Sequence, residues 1–194
     1  MIRHVGAIGL LSAALGLGLT QAPLGIDSKI RLPKVAIKNR EYPVMNLPLP
    51  MREENYKGGS CVHASWVMLL RWQRQYAYAD YWRKKYAYGE YYAEMAQRLD
   101  AEGIKWAGTY QDRDVAFLEW ACRTRRGCMV TCMNGAHMIC LIDLNKTHAT
   151  ILDNNEIGVY RKIPRNEFLR EWYNSGSWAM TPIYIPAPPL EKKA

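Results

Sequence analysis

Long runs of like charge are missing from this chain, and so are the short motifs that mark the commonest metal and cofactor sites. Lys and Arg number 26 against 18 Asp and Glu, a formal charge of +8. They are scattered, so specific nucleic-acid binding is not expected. No paired Cys or His pattern suits zinc, no Walker-type glycine loop is present and there is no dinucleotide fingerprint. No cofactor is therefore expected. Beyond the first residues no apolar stretch is long enough to span a bilayer. Room for two ordinary domains is also lacking, since 194 residues that are 49% hydrophobic make one domain with a proper core plus tails.

What is present begins with "MIRHVGAIGLLSAALGLGLTQAP": a basic head at Arg3, an apolar run from Val5 to Leu19, and small residues at Thr20 and Ala22 before a proline. This is the layout of a secretory signal peptide over residues 1–22, cut after Ala22. The alternative is an uncleaved anchor, which the many Gly and Ala and the missing basic stop-transfer flank disfavour. The expectation is a secreted or envelope protein without stable membrane insertion after cleavage. The mature charge would stay at +7, because Arg3 is the only charged residue removed.

Five cysteines in an exported chain permit two disulfides among Cys122, Cys128, Cys132 and Cys140, with Cys61 left over. Cys128 with Cys132 is a poor pair on one strand, where four residues span ~13 Å. In a reducing compartment all five would stay free.

Residues 23–57 carry five prolines and read as an extended arm. Ser60 then offers a cap for a helix from Cys61 to about Gln75, in which His63 and Ser65 are the only polar side chains before Arg71. An all-round apolar helix belongs inside the protein. Eight Tyr or Trp residues from Tyr76 to Tyr92 accompany two further helices, broken at Gly89 and stopped by Gly103. These rings either pack a core or present a recognition surface for peptide or sugar. A fourth helix runs from Asp112 or Asp114 to Thr124.

After Gly127 the pattern turns to period two. "CMVTCM" reads as a strand, Asn134-Gly135 as a tight hairpin turn, and "HMICLIDL", "HATILD" and "GVYRKI" as further strands. A short helix capped near Asn166 and a last strand, "WAMTPIYI", complete the domain, which spans residues 58–185. The fold class is α+β, helices first and an antiparallel sheet after them. Residues 186–194 form a frayed tail.

A thiol in the first turn of a helix meets the positive end of the helix dipole, which favours thiolate. Cys61 has that place. His137 opens a strand just past a turn, with the partial access that a base needs. His63 follows Cys61 by two residues and points about 200° away on a helix, so it reads as a packing or polar-contact residue. If Asp143 pairs with His148, His137 faces Asn154; with a turn shorter by one residue it faces Asp153. Either side chain accepts a hydrogen bond from the imidazole and fixes its tautomer. An ordinary strand-ending turn would account for "LDNN" equally well.

Cysteine at the start of a buried helix, histidine opening a strand, and Asp or Asn closing the next, in that order, resemble the papain-like cysteine peptidase superfamily. The likeness is nearest to its compact bacterial branch, which includes peptidases that cut bacteriocin leaders. It covers roughly residues 55–185 and includes the small-residue approach "GGSC". The resemblance implies a peptide or protein substrate, a Cys61 nucleophile, a His137 base, an orienting Asp153 or Asn154 with Asn155 as the least favoured third candidate, and an oxyanion donor six residues before the cysteine. That last position is Asn55, one methylene shorter than the family's Gln, and Val62 replaces the Gly or Trp that follows the cysteine in many relatives.

Overall fold

The computed structural model describes residues 46–55 and 60–189, all within the compact unit Pro33–Ala194. The expected signal segment, most of the proline-rich arm and the end of the tail lie outside the described residues. Five helices and six strands follow in the order α1 (Cys61–Trp72), α2 (Tyr76–Lys85), α3 (Tyr92–Ala101), β1 (Lys105–Thr109), α4 (Val115–Arg123), β2 (Cys128–Cys132), β3 (His137–Leu144), β4 (His148–Leu152), β5 (Arg161–Pro164), α5 (Arg165–Asn174) and β6 (Ala179–Tyr184). The fold is α+β. The strands form one antiparallel sheet ordered β1-β6-β2-β3-β4-β5, so β2 and β3 sit at its centre.

Alternation along the central strands sends side chains to two cores. Met138 and Cys140 join Met129, Met180 and the apolar sides of α1, α2 and α3. Ile139 and Leu141 join Cys128, Val130 and Ile151 against α4 and α5. The sheet is thus covered on both faces, with helices that precede it on one side and helices interleaved with its strands on the other. Every residue of α1 except Arg71 is buried, as its nearly unbroken apolar run requires. Among the described residues no helix is long and apolar enough to cross a membrane.

Several local expectations change. Helix α1 stops at Trp72 because Arg74 turns left-handed (φ 63°) and the Gln75 N–H closes back on the Leu70 carbonyl at 2.8 Å. Ser60 holds the N-cap position without a side-chain cap bond; its hydroxyl donates to Asn55 Oδ1 at 3.3 Å. Asp114 does cap α4, accepting from Phe117 N–H at 3.0 Å. Helix α5 starts after Pro164, which occupies the cap position expected near Asn166. Asn134-Gly135 is not a two-residue turn: Cys132 pairs with His137, leaving a four-residue loop with a 3-10 turn. All five cysteines are free thiols, so the two disulfides are not formed. Cys140 faces the α1 core and donates to the Ser65 carbonyl at 3.1 Å, whereas Cys128 faces the opposite core.

Candidate active site

Three pieces of chain meet at the mouth of α1. Cys61 opens the helix, His137 opens β3, and Asp153 follows directly on the last residue of β4. Because α1 packs on β3, the sulfur comes within hydrogen-bonding reach of the His137 ring. His137 Nε2 is 2.9 Å from Asp153 Oδ1, which leaves Nδ1 as the ring nitrogen for the thiol. Asp153 Oδ1 also accepts from the Asn155 N–H at 2.9 Å, and Arg161 lies 3.7 Å from Oδ2.

Asp153 reaches the imidazole by a route the simple hairpin count misses. The strands pair Cys140 with Leu152 and Asp143 with Thr150, with a bulge between Leu141 and Asp143. The Asp143 to His148 pairing is therefore not the one formed. Extended outward, the observed register carries His137 beyond Asn154, but the chain leaves the strand at Leu152 and its turn brings Asp153 back to the ring. Asn154 points elsewhere, donating from Nδ2 to the Cys61 carbonyl, Ser65 Oγ and the Met138 carbonyl at 3.2, 2.9 and 2.7 Å. Asn155, the least favoured of the three candidates for the orienting role, instead accepts at Oδ1 from Asn55 Nδ2 at 2.9 Å. Asn55 is further tied by its backbone N–H to the Asn154 carbonyl at 2.8 Å.

The electrostatics separate Cys61 from the other thiols. Burial pushes Cys61 up, but the hydrogen bond and charge of His137, with the backbone N–H groups of Met138 and Val62, outweigh it and hold the thiol below its ordinary value. Cys132 and Cys140 are pushed up by burial to about 12, and Cys122 and Cys128 are raised by burial as well. Burial lowers His137, yet its hydrogen bonds to Asp153 and Cys61 prevail and raise it to about 9. Asp153 is held below the ordinary carboxylate value: burial raises it, but the His137 bond, the Asn155 N–H and the charges of His137 and Arg161 win. The cation on His137 is thus favoured from both sides.

His63 belongs to a different set of contacts, as its helical phase predicts. Trp82 Nε1 donates to its Nδ1 at 3.2 Å, which places the neutral ring's proton on Nε2, 3.0 Å from Glu90 Oε2. Glu90 had no sequence signal, being one acidic residue in an aromatic stretch. Among the described residues no group of three or more His, Cys, Asp or Glu side chains is placed to hold a metal ion.

No family model matches the chain, and no curated protein matches it. Solved structures similar to it include the following two. One is a double glycine motif protease from an AMS/PCAT transporter in complex with the leader peptide, at 16% identity and a TM-score of 0.48, covering 72% of this chain and 94% of that one. The other is a C39-like peptidase from Bacillus anthracis, at 17% identity and a TM-score of 0.42, covering 50% of this chain and 61% of that one.

Proposed function

We propose that this protein is a cysteine peptidase or amidase that works through a thioester on Cys61. The observation that supports this reading best is the His137 ring between the Cys61 thiol and the Asp153 carboxylate, with a lowered thiol facing a raised imidazole. A resting thiolate–imidazolium pair is what such a reaction needs. The thiolate attacks the amide carbonyl carbon, and the electron pair moves to the carbonyl oxygen. The Cys61 backbone N–H and Asn55 are assigned to that oxyanion. Asn55 Nδ2 spends one hydrogen on Asn155 Oδ1, so its second N–H takes this role. His137 then protonates the leaving amine as the C–N bond breaks. Water, deprotonated by the now neutral His137, opens the thioester, releasing the acid and returning the Cys61 thiolate beside the His137 imidazolium. An amine in place of water gives acyl transfer instead.

The substrate class proposed is a peptide or protein, and the place of action is the envelope or outside the cell, in keeping with the signal-like N-terminal segment. The test is alkylation of Cys61 by iodoacetamide at neutral pH, resolved by peptide mass spectrometry, together with digestion of a mixed peptide library. Cys61 is expected to react faster than a model thiol and to lose that advantage in His137→Ala. A Cys61 no faster than the model thiol, with the library uncut, refutes the reading.

A second reading, a catalytically silent peptide- or wall-polymer-binding module, is favoured by one surface. Tyr92 sits 5.5 Å from the Trp178 ring and 2.7 Å, oxygen to oxygen, from Tyr110, and Tyr91 beside it is 75% exposed. An unreactive Cys61 in a chain that still retains peptide or polymer on this aromatic wall would select that reading.

A further inference from the structure

Asn154 has 0% exposure, and the partners it chooses are unusual for a packing residue. Its single side-chain amide nitrogen lies 3.2 Å from the carbonyl oxygen of Cys61 and 2.7 Å from that of Met138, the residue next to His137. Between them is Ser65 Oγ, 2.9 Å from the same nitrogen, which itself donates to the Met138 carbonyl at 2.9 Å. The Asn154 carbonyl meanwhile accepts from the Asn55 N–H, and Asp153 precedes it in the chain. One residue therefore touches α1, β3 and the segment carrying the proposed oxyanion donor.

The other end of the amide strengthens the case. Asn154 Oδ1 is buried with no hydrogen-bond partner, and leaving a buried acceptor unmet is unfavourable. Turning the amide over would not relieve this, because Oδ1 would then face two carbonyl oxygens. An aliphatic side chain would fill the space with no unmet group. The donor end is what distinguishes asparagine here: aspartate has the same shape and, when ionised, donates nothing.

We infer that Asn154 is a positioning residue, which sets the separation of Cys61 and His137 by tying the carbonyl of the one and of the other's neighbour to a single amide. This inference rests on the Cys61–His137 pair of the proposed function. The groups that face Cys61 and titrate are His137 from β3 and Cys132 from β2, with Asp153 and Arg161 acting through His137. Asn154 carries no charge, so it acts on the pair through distance. A displacement of about 1 Å at such a pair costs on the order of 100-fold in rate, and half of that shift a proportionate part.

The experiment follows Cys61 alkylation from pH 5 to pH 10 in the full chain, reading the Cys61 peptide alone. In Asn154→Ala the midpoint is expected to rise by about one pH unit and the rate at pH 6 to fall about tenfold, since one unit is tenfold in thiolate fraction. Leu118→Ala, in the core on the other face of the sheet, is the comparison: it lowers the melting temperature without moving the midpoint. An Asn154→Ala chain that melts lower but keeps the wild-type midpoint and rate overturns the inference. If that chain does not fold, Asn154→Ser is read instead. Its hydroxyl reaches one carbonyl and not both, so a smaller rise of about half a unit is expected, and an unmoved midpoint again overturns it. A wild-type Cys61 that titrates in the ordinary thiol range overturns both this inference and the proposed pair, and the wild-type curve alone identifies that outcome.

Discussion

His137 is held in its cationic form against the pull of burial, and Asp153 is the first of the groups that do so. Removing the carboxylate should therefore reverse the sign of the shift. In Asp153→Ala we expect the His137 midpoint, followed by NMR of the ring Cε1 proton, to drop from about 9 to near or below the ordinary 6.5, because desolvation then acts with only Cys61 opposing it. Asp153→Asn keeps an acceptor without the charge and should fall between. An Asp153→Ala midpoint still near 9 would show that the contact at 2.9 Å does not govern His137. At this scale Cys61 and His137 were legible because each is chemically distinctive and sits at the end of an element. The division of labour between Asp153 and Asn154 was not. Hairpin counting assumes an unbroken ladder, and the bulge after Leu141 lies inside an apolar run that carries no mark of it. Glu90, and the bond between Asn155 and Asn55, were missed because a polar residue in an aromatic stretch or a turn looks the same whether or not a partner awaits it.

Helix α1 is aimed by its neighbours, and two contacts can be tested at this scale. Glu90, whose side chain is 4% exposed, joins His63 on α1 to Arg98 on α3 and so pins the connection between α2 and α3 beside α1. Glu90→Ala removes the carboxylate 3.0 Å from the buried His63 Nε2 together with the hydrogen-bond partner of Arg98, and should cost about 1–3 kcal/mol in urea unfolding, with Glu90→Gln closer to wild type. A loss below ~0.5 kcal/mol in Glu90→Ala would place the latch among ordinary surface pairs. Gly127 joins α4 to β2 at φ +63°, and a Cβ there would lie 3.0 Å from the Leu141 carbonyl and 3.2 Å from Leu69 Cδ1. Gly127→Ala should therefore destabilise by ~1–2 kcal/mol from the left-handed backbone alone, with added strain where the helix and sheet meet. The helices and the switch to period two after Gly127 were readable because their periodicity spans many residues. Strand β1 was not: "KWAGT" has five residues, a glycine and no clean alternation, and it is defined by pairing with β6, far along the chain.

Over the whole molecule, stability against pH near neutrality carries the mark of two histidines pushed in opposite directions. Burial lowers His63 to about 4 from its ordinary 6.5, against the opposing charge of Glu90. The unfolded chain then binds the extra proton between those values, so the stability His63 contributes is present above pH 6.5 and lost as pH falls toward 4. His137 works the other way: its folded value of about 9 gives stability that is fully present below 6.5 and lost as pH rises through 9. Cys61, being lowered, gives stability present above its ordinary 9.0 and lost as pH falls through its folded value. Above the folded value of Cys61 and below 9.0 the folded pair holds one proton on His137 while the unfolded chain holds one on Cys61. The counts cancel, so the melting temperature of the wild type should be nearly flat there, declining on the acid side with His63 and again above 9, where the buried Cys122, Cys128, Cys132 and Cys140 keep protons that the unfolded chain gives up. Cys61→Ala removes the compensating thiol and leaves His137 with Asp153. That variant should lose stability as pH rises from 6.5 toward 9, at up to ~1.4 kcal/mol per pH unit. Calorimetric melting from pH 4 to pH 10 reads both limbs. A Cys61→Ala profile as flat as the wild type would mean that His137 is not held cationic, and a wild type that does not weaken below 6.5 would mean that His63 is not buried neutral. A proton moved from sulfur to nitrogen is invisible to stability while both partners are present, and only deleting Cys61 exposes it.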